Sequence, residues 1–87
     1  MNQSKSASGR WIDLGRGGTI AADRVVAAAR AQSAPIKRLL EAAGPSHVLN
    51  LTYGEPRATV VLLDSGHLAV ISLPLETFLA KLQGGEP

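Results

Sequence analysis

Between Ser33 and Pro45 the chain spells one amphipathic helix with both ends marked, and this divides the rest into two β-rich parts. Ser33-Ala34-Pro35 is a helix start: serine suits the cap, and proline is tolerated in the first turn, where no amide hydrogen is needed. Ile36, Leu39, Leu40 and Ala43 follow at i, i+3, i+4 and i+7, a single apolar stripe. Lys37, Arg38 and Glu41 fall on the opposite face, and Gly44-Pro45 stops the helix.

The flanks read as short strands. Trp11 to Leu14 alternates weakly, Gly15-Arg16-Gly17-Gly18 is a tight turn, and Thr19-Ile20-Ala21 is a second strand. Arg24 to Gln32 is ambiguous by residue type, because its alanines favour helix while Val25-Val26 favours strand. After the helix come Val48 to Thr52, Ala58 to Leu63 and His67 to Ser72, with turns at Gly54-Glu55-Pro56 and Asp64-Ser65-Gly66. Three strands in succession predict an antiparallel meander. Ser72 to Pro74 then opens a C-terminal helix whose stripe is Leu75, Phe78, Leu79 and Leu82, apolar enough to serve a neighbouring subunit. The expected fold is α+β: a small antiparallel sheet with one central helix and a C-terminal helix. The domain is expected over residues 11–83, with disordered tails at 1–10 and 84–87.

A chain of 87 residues with no cysteine must hold itself together without disulfides or cysteine-bound zinc. Only 3% of residues are aromatic, so the core is Val, Leu, Ile and Ala, and oligomerisation is the reinforcement left open. No apolar run approaches the roughly 20 residues of a membrane span, and Met1 to Gly9 lacks the apolar segment of a signal peptide. The expected location is the cytoplasm. Two histidines, His47 and His67, are too few for an all-histidine metal site, and no metal or cofactor is expected.

Charge is unevenly spread. Residues 1–44 carry Lys5, Arg10, Arg16, Arg24, Arg30, Lys37 and Arg38 against Asp13, Asp23 and Glu41, a net of +4. Residues 45–87 carry Arg57 and Lys81 against Glu55, Asp64, Glu76 and Glu86, a net of −2. A basic half suits a polyanion, although ordinary solvated surface gives the same composition. Asp64, Ser65 and His67 could be assembled into a hydrolytic site, but Asp-Ser-Gly is also what a turn demands. Gly15-Arg16-Gly17-Gly18 offers amides to a phosphate yet lacks the P-loop lysine and the full dinucleotide fingerprint, so a glycine turn is the plainer account.

The sequence resembles the RemA family of bacterial regulators of extracellular-matrix (biofilm) genes. The carrying motif is Ser33-Ala34-Pro35-Ile36-Lys37-Arg38, supported by Gly15 to Gly18, Asp23-Arg24-Val25-Val26, Thr52-Tyr53-Gly54, Asp64-Ser65-Gly66-His67 and Pro74-Leu75-Glu76-Thr77. The resemblance runs from about Trp11 to Leu82. It implies a LytTR-like fold, Val25 to Ala31 as a strand, and a ring of about seven or eight identical subunits that binds double-stranded DNA and associates with the nucleoid. Arg24 and Arg57 are the DNA contacts it implies, and Pro35 matches a proline the family needs for function. Arg16, Lys37 and Arg38 are further candidates for phosphate contact. The family usually shows Gly-Arg-Arg-x-Arg-Ala where this chain has Gly54-Glu55-Pro56-Arg57-Ala58, so only Arg57 has a counterpart. The expected function is therefore a DNA-binding ring. A ring scaffold with weak or lost DNA binding is the alternative, and a small hydrolase the remote third.

Overall fold

A computed structural model of the chain describes residues 10–15 and 18–84. The elements are β1 (Trp11–Gly15), β2 (Gly18–Ala21), β3 (Val25–Arg30), α1 (Ala34–Ala43), β4 (Val48–Asn50), β5 (Thr59–Leu63), β6 (Leu68–Ile71) and α2 (Leu75–Leu82). Short 3-10 turns at Ala22–Arg24 and Pro45–His47 lead into β3 and β4. The tails at 1–9 and 85–87, and Arg16, lie outside the described residues.

β1 and β2 form their own antiparallel hairpin, with Trp11 opposite Ala21 and Ile12 opposite Ile20. Alternation explains it: Ile12, Leu14 and Ile20 point inward and are buried, while Trp11, Asp13 and Thr19 point outward. Asp13 Oδ1 accepts the Gly15 amide hydrogen at 2.8 Å, a side-chain turn that starts the reversal at Gly15, where φ is 80°.

The second sheet has the strand order β3-β5-β6-β4 and is mixed. β5 pairs antiparallel with both β3 and β6, as expected, but β4 pairs parallel with β6, Val48 lying beside Leu68 and Asn50 beside Val70. The predicted all-antiparallel meander is corrected at this point. β3 and β4 both run parallel to β6, at opposite edges of the sheet, so α1 between them is a crossover helix. Parallel strands cannot be joined by a tight turn and need such a crossing. Alanine-rich Val25 to Arg30 is a strand, with a bulge between Val25 and Ala27 that leaves Val26 exposed.

The segment after β4 is likewise not a hairpin arm. Asn50 Oδ1 accepts both the Thr52 amide hydrogen (3.2 Å) and the Thr52 hydroxyl (2.8 Å), which bends the chain out of the sheet. The turn spans Thr52 to Glu55, not Gly54 to Pro56: the Glu55 amide donates to the Thr52 carbonyl at 3.0 Å, and φ is positive at both Tyr53 (52°) and Gly54 (88°). The chain then passes the end of β6, Ala58 donating to Ile71 at 2.9 Å, and enters β5 on the far side.

Both faces of the mixed sheet are covered, which is why Leu68–Ile71 is apolar at every position and buried throughout. On one face, Val61, Ala69 and Ile71 pack with Ile12, Leu14, Ile20 and Ala22 of the first hairpin and its exit, and with Phe78 of α2. On the other, Val60, Leu68 and Val70 pack with Ile36, Leu40 and Ala43 of α1. The C-terminal stripe thus serves this chain's own core: Phe78 is fully buried, and Leu79 and Leu82 pack around it. α1 begins at Ala34 with Pro35 as its second residue. Ser33 occupies the cap position without a side-chain capping bond, and its hydroxyl turns back to the Arg30 carbonyl at 3.3 Å. Thr59, also fully buried, satisfies its hydroxyl on the Leu73 carbonyl at 2.8 Å.

Two charged side chains clamp the ends of elements. The Arg10 guanidinium donates to the carbonyls of Lys81 (2.7 Å) and Leu82 (2.9 Å), closing the C-terminus of α2. Arg30, at the end of β3, forms an ion pair with Glu76 in the first turn of α2. A hydrogen bond from its own backbone amide, and then the Arg30 guanidinium, hold the Glu76 carboxyl below the usual value of 4.5. A carboxyl lowered in the folded state stabilises the fold above that value and loses its contribution as pH falls through and below it.

The packing and the clamp can each be tested by one substitution. Phe78→Ala should cost about 3–5 kcal/mol in urea unfolding, since the ring is fully buried between sheet and hairpin. Glu76→Gln should be less stable than the parent at neutral pH, with the gap closing below pH 4.5. A gap independent of pH would assign the loss to something other than ionisation.

Candidate nucleic-acid interface

The basic residues fall at two ends of the mixed sheet. Arg24 immediately precedes β3, whose Val25 pairs with Leu63 at the exit of β5. Its guanidinium forms an ion pair with Asp64 at 3.2 Å, and its carbonyl accepts the Asp64 amide at 2.9 Å. Arg57 lies at the other end of β5, two residues before Thr59, which pairs with Arg30. Five strand residues at about 3.3 Å each put roughly 16 Å between those ends. The two arginines singled out by the family motif therefore do not form one patch within a subunit.

Lys37 and Arg38 belong to the Arg57 end. Ala31, which leads from β3 toward α1, donates to Ala58 at 3.0 Å, so the start of the helix sits beside the residue that follows Arg57. Lys37 is one helical turn before Glu41, and Glu41, Leu40 and Arg57 line the same groove. Among the described residues, Lys37, Arg38 and Arg57 make no ion pair, whereas Arg24 and Arg30 each have a carboxylate partner. Three cations without carboxylate partners at one end of the fold are free to meet phosphate oxygens. Arg24 must exchange Asp64 for them.

Gly18 and Tyr53, far apart in sequence, are in contact. A Cβ built on Gly18 would lie 2.9 Å from Tyr53 Cε2, so the ring packs directly on the glycine backbone. Tyr53 has a left-handed backbone that non-glycine residues adopt infrequently, while half of its surface stays exposed. No pattern in the sequence marks this conformation. For the direction of β4, the available signal was the chain order strand, helix, strand at 25–50, which is the order of a crossover unit.

Asp64, Ser65 and His67 occupy a turn completed by Gly66 at φ 90°. Ser65 Oγ and His67 Nδ1 are hydrogen bonded at 2.8 Å, but the Asp64 carboxylate faces Arg24, so the three do not line up as a relay. His67 stacks on His47, ring centroids 5.5 Å apart, and His47 Nδ1 meets Ser46 Oγ at 3.2 Å. Among the described residues no three His, Asp or Glu side chains gather in a way that could hold a metal ion. No described helix is long and apolar enough to cross a membrane.

A mixed sheet with a crossover helix on one face and a hairpin and a short helix on the other defines a small α+β domain. Residues 11–82 match the family described as RemA-like, Extracellular matrix regulatory protein A-like. Two proteins called "Putative regulatory protein", from Dictyoglomus turgidum and Dictyoglomus thermophilum, are 38% and 37% identical to it over 78 residues, covering 88% of this chain and 92% of each relative. A Synechococcus protein of the same description is 35% identical over 79 residues, 90% of this chain and 89% of its own length. The chain belongs to the RemA-like family.

The exposed ion pair gives a direct check. Arg24 and Asp64 side chains are 67% and 46% exposed, so Asp64→Asn should alter the unfolding free energy by no more than about 1 kcal/mol. Thermal unfolding of the variant measures this. A much larger loss would make Asp64 a structural residue and remove it as a partner that phosphate can displace.

Proposed function

We propose that this protein is a DNA-binding transcriptional regulator of extracellular-matrix (biofilm) genes, working on the nucleoid as a closed ring of about seven or eight copies. The observation that carries the reading is the end of the fold where Lys37, Arg38 and Arg57 stand without carboxylate partners among the described residues, in a chain of the RemA-like family. The regulatory names of its relatives support the regulatory part. Pro35, which presets the backbone angle in the first turn of α1, fixes the start of the helix and thereby the subunit geometry of the ring. Each subunit contributes few cations. A closed ring repeats them, and contacts that are weak singly add through multivalency. Because phosphate contacts position and do not specify, Arg57 and Lys37 supply affinity and leave the choice of operator to other features.

A second reading is a ring that serves as a protein scaffold and binds DNA poorly. Two features favour it: Glu55 and Pro56 stand where the family carries arginines, and Arg24 is already paired with Asp64. Fluorescence anisotropy on a labelled duplex across a salt series separates the two, with native mass spectrometry on the same sample to give the subunit count. The DNA-binding reading expects log affinity to fall linearly with log salt, and Arg57→Ala to lower that slope by about one for each phosphate that the arginine neutralises. Glu55→Arg with Pro56→Arg should then tighten binding and steepen the slope. A ring with no measurable affinity at low salt would establish the scaffold instead, and a monomer at micromolar concentration would remove both.

A further inference from the structure

We propose that the groove between α1 and β4 is a binding site for a small amphipathic carboxylate, with Arg57 receiving the head group and Leu40, Val48 and Val70 the apolar body. The groove measures about 330 Å³, within the size range of small-molecule sites. It forms where the end of α1 reaches the edge strand β4, and Gly44, Pro45, Asn50 and Arg57 are part of its lining. Its floor is apolar, with Val70 buried and Leu40 and Val48 half-buried.

Arg57 and Asn50 are the wall groups that favour an anionic head. Arg57 makes no ion pair among the described residues, so its fork of donors is available to a carboxylate. Asn50 adds a donor. Two hydrogens from Thr52 converge on its side-chain oxygen, which fixes the orientation of the amide and leaves Nδ2 to donate. Glu41 on the helix wall balances Arg57, so the walls carry no net formal charge. One negative charge at the Arg57 end is compensated there. A phosphate dianion would bring a second charge against Glu41. The chemistry therefore favours a singly charged head on a hydrocarbon or aromatic body. The site stands whether or not the protein binds DNA.

Octanoate and octylammonium, matched in length and opposite in charge, are suitable probes. Each is titrated into the ¹⁵N-labelled full chain, without DNA, and followed in amide correlation spectra. The expected result is saturable octanoate binding with shifts centred on Gly44, Val48, Asn50 and Val70, and octylammonium binding at least about tenfold weaker. Arg57→Gln should weaken octanoate by about tenfold, the loss of one charge-assisted pair, and Glu41→Gln should tighten it. Both positions are exposed, and the spectra of the variants report folding directly. Equal affinity for the two probes, shifts centred elsewhere, unchanged octanoate affinity in Arg57→Gln, or no saturable binding up to about 10 mM would each overturn the assignment. Occupation of the groove by a second copy of the chain is among the causes of the last outcome. Because the titration contains no DNA, a failure of DNA binding in the anisotropy experiment leaves its result unaffected.

Discussion

The parallel alignment of β3 and β4 at opposite edges of one sheet governs the rest of the structure. Two strands so placed oblige the chain between them to travel the full width of the sheet, and α1 is that passage. The crossing buries Val60, Leu68 and Val70 on one face. It also leaves β5 and β6 as interior strands that must be apolar on both sides. The opposite face then needs its own cover. The first hairpin and α2 supply it, with Phe78 as the largest side chain fully enclosed. With a single phenylalanine and no cysteine, the fold relies on layering short elements over both faces of a small sheet.

The same crossing distributes the charges. Arg24 lies where β3 begins and Lys37 where α1 begins, so one strand length separates them. Arg57 follows the loop that returns past β6 and arrives near the helix start. Arg24 is tied to Asp64 by an exposed pair of small worth, an interaction that a nearby polyanion can replace at little cost.

Local elements were legible in the sequence to the extent that their signals were local. The helix from Ala34 to Ala43, its stop at Gly44, the two short strands paired from Trp11 to Ala21, and the turn at Asp64 to Gly66 all rest on cap, breaker, alternation or turn signals carried by the residues themselves. Val25 to Arg30 was not decided by residue type, because alanine suits a helix and the valines suit a strand. Its place beside β5 is set by the sheet. The parallel pairing of β4 was missed because strand direction depends on a partner more than 15 residues away. Val-Leu-Asn reads the same in either direction. Arg57 was singled out in the sequence only by the resemblance, and its groove was invisible: Leu40, Val48 and Val70 belong to three elements with no sequence relation to one another. The left-handed Tyr53 runs against the ordinary preference of its residue type, so only the fold reveals it.

The clasp between Arg10 and the last turn of α2 bears on how the chain is threaded. Arg10 bridges to Lys81 and Leu82, and a Cβ built on Gly84 would lie 3.9 Å from the same guanidinium, so the first and last described residues are neighbours. The path through the domain is thus nearly a closed circuit. A short peptide joining Arg10 to Gly84, with the chain opened at a surface turn, would preserve every strand pairing while changing which element is made first. The architecture is in that sense indifferent to its own starting point: its contacts are fixed by which segments touch, and the order in which a ribosome delivers them is a separate variable.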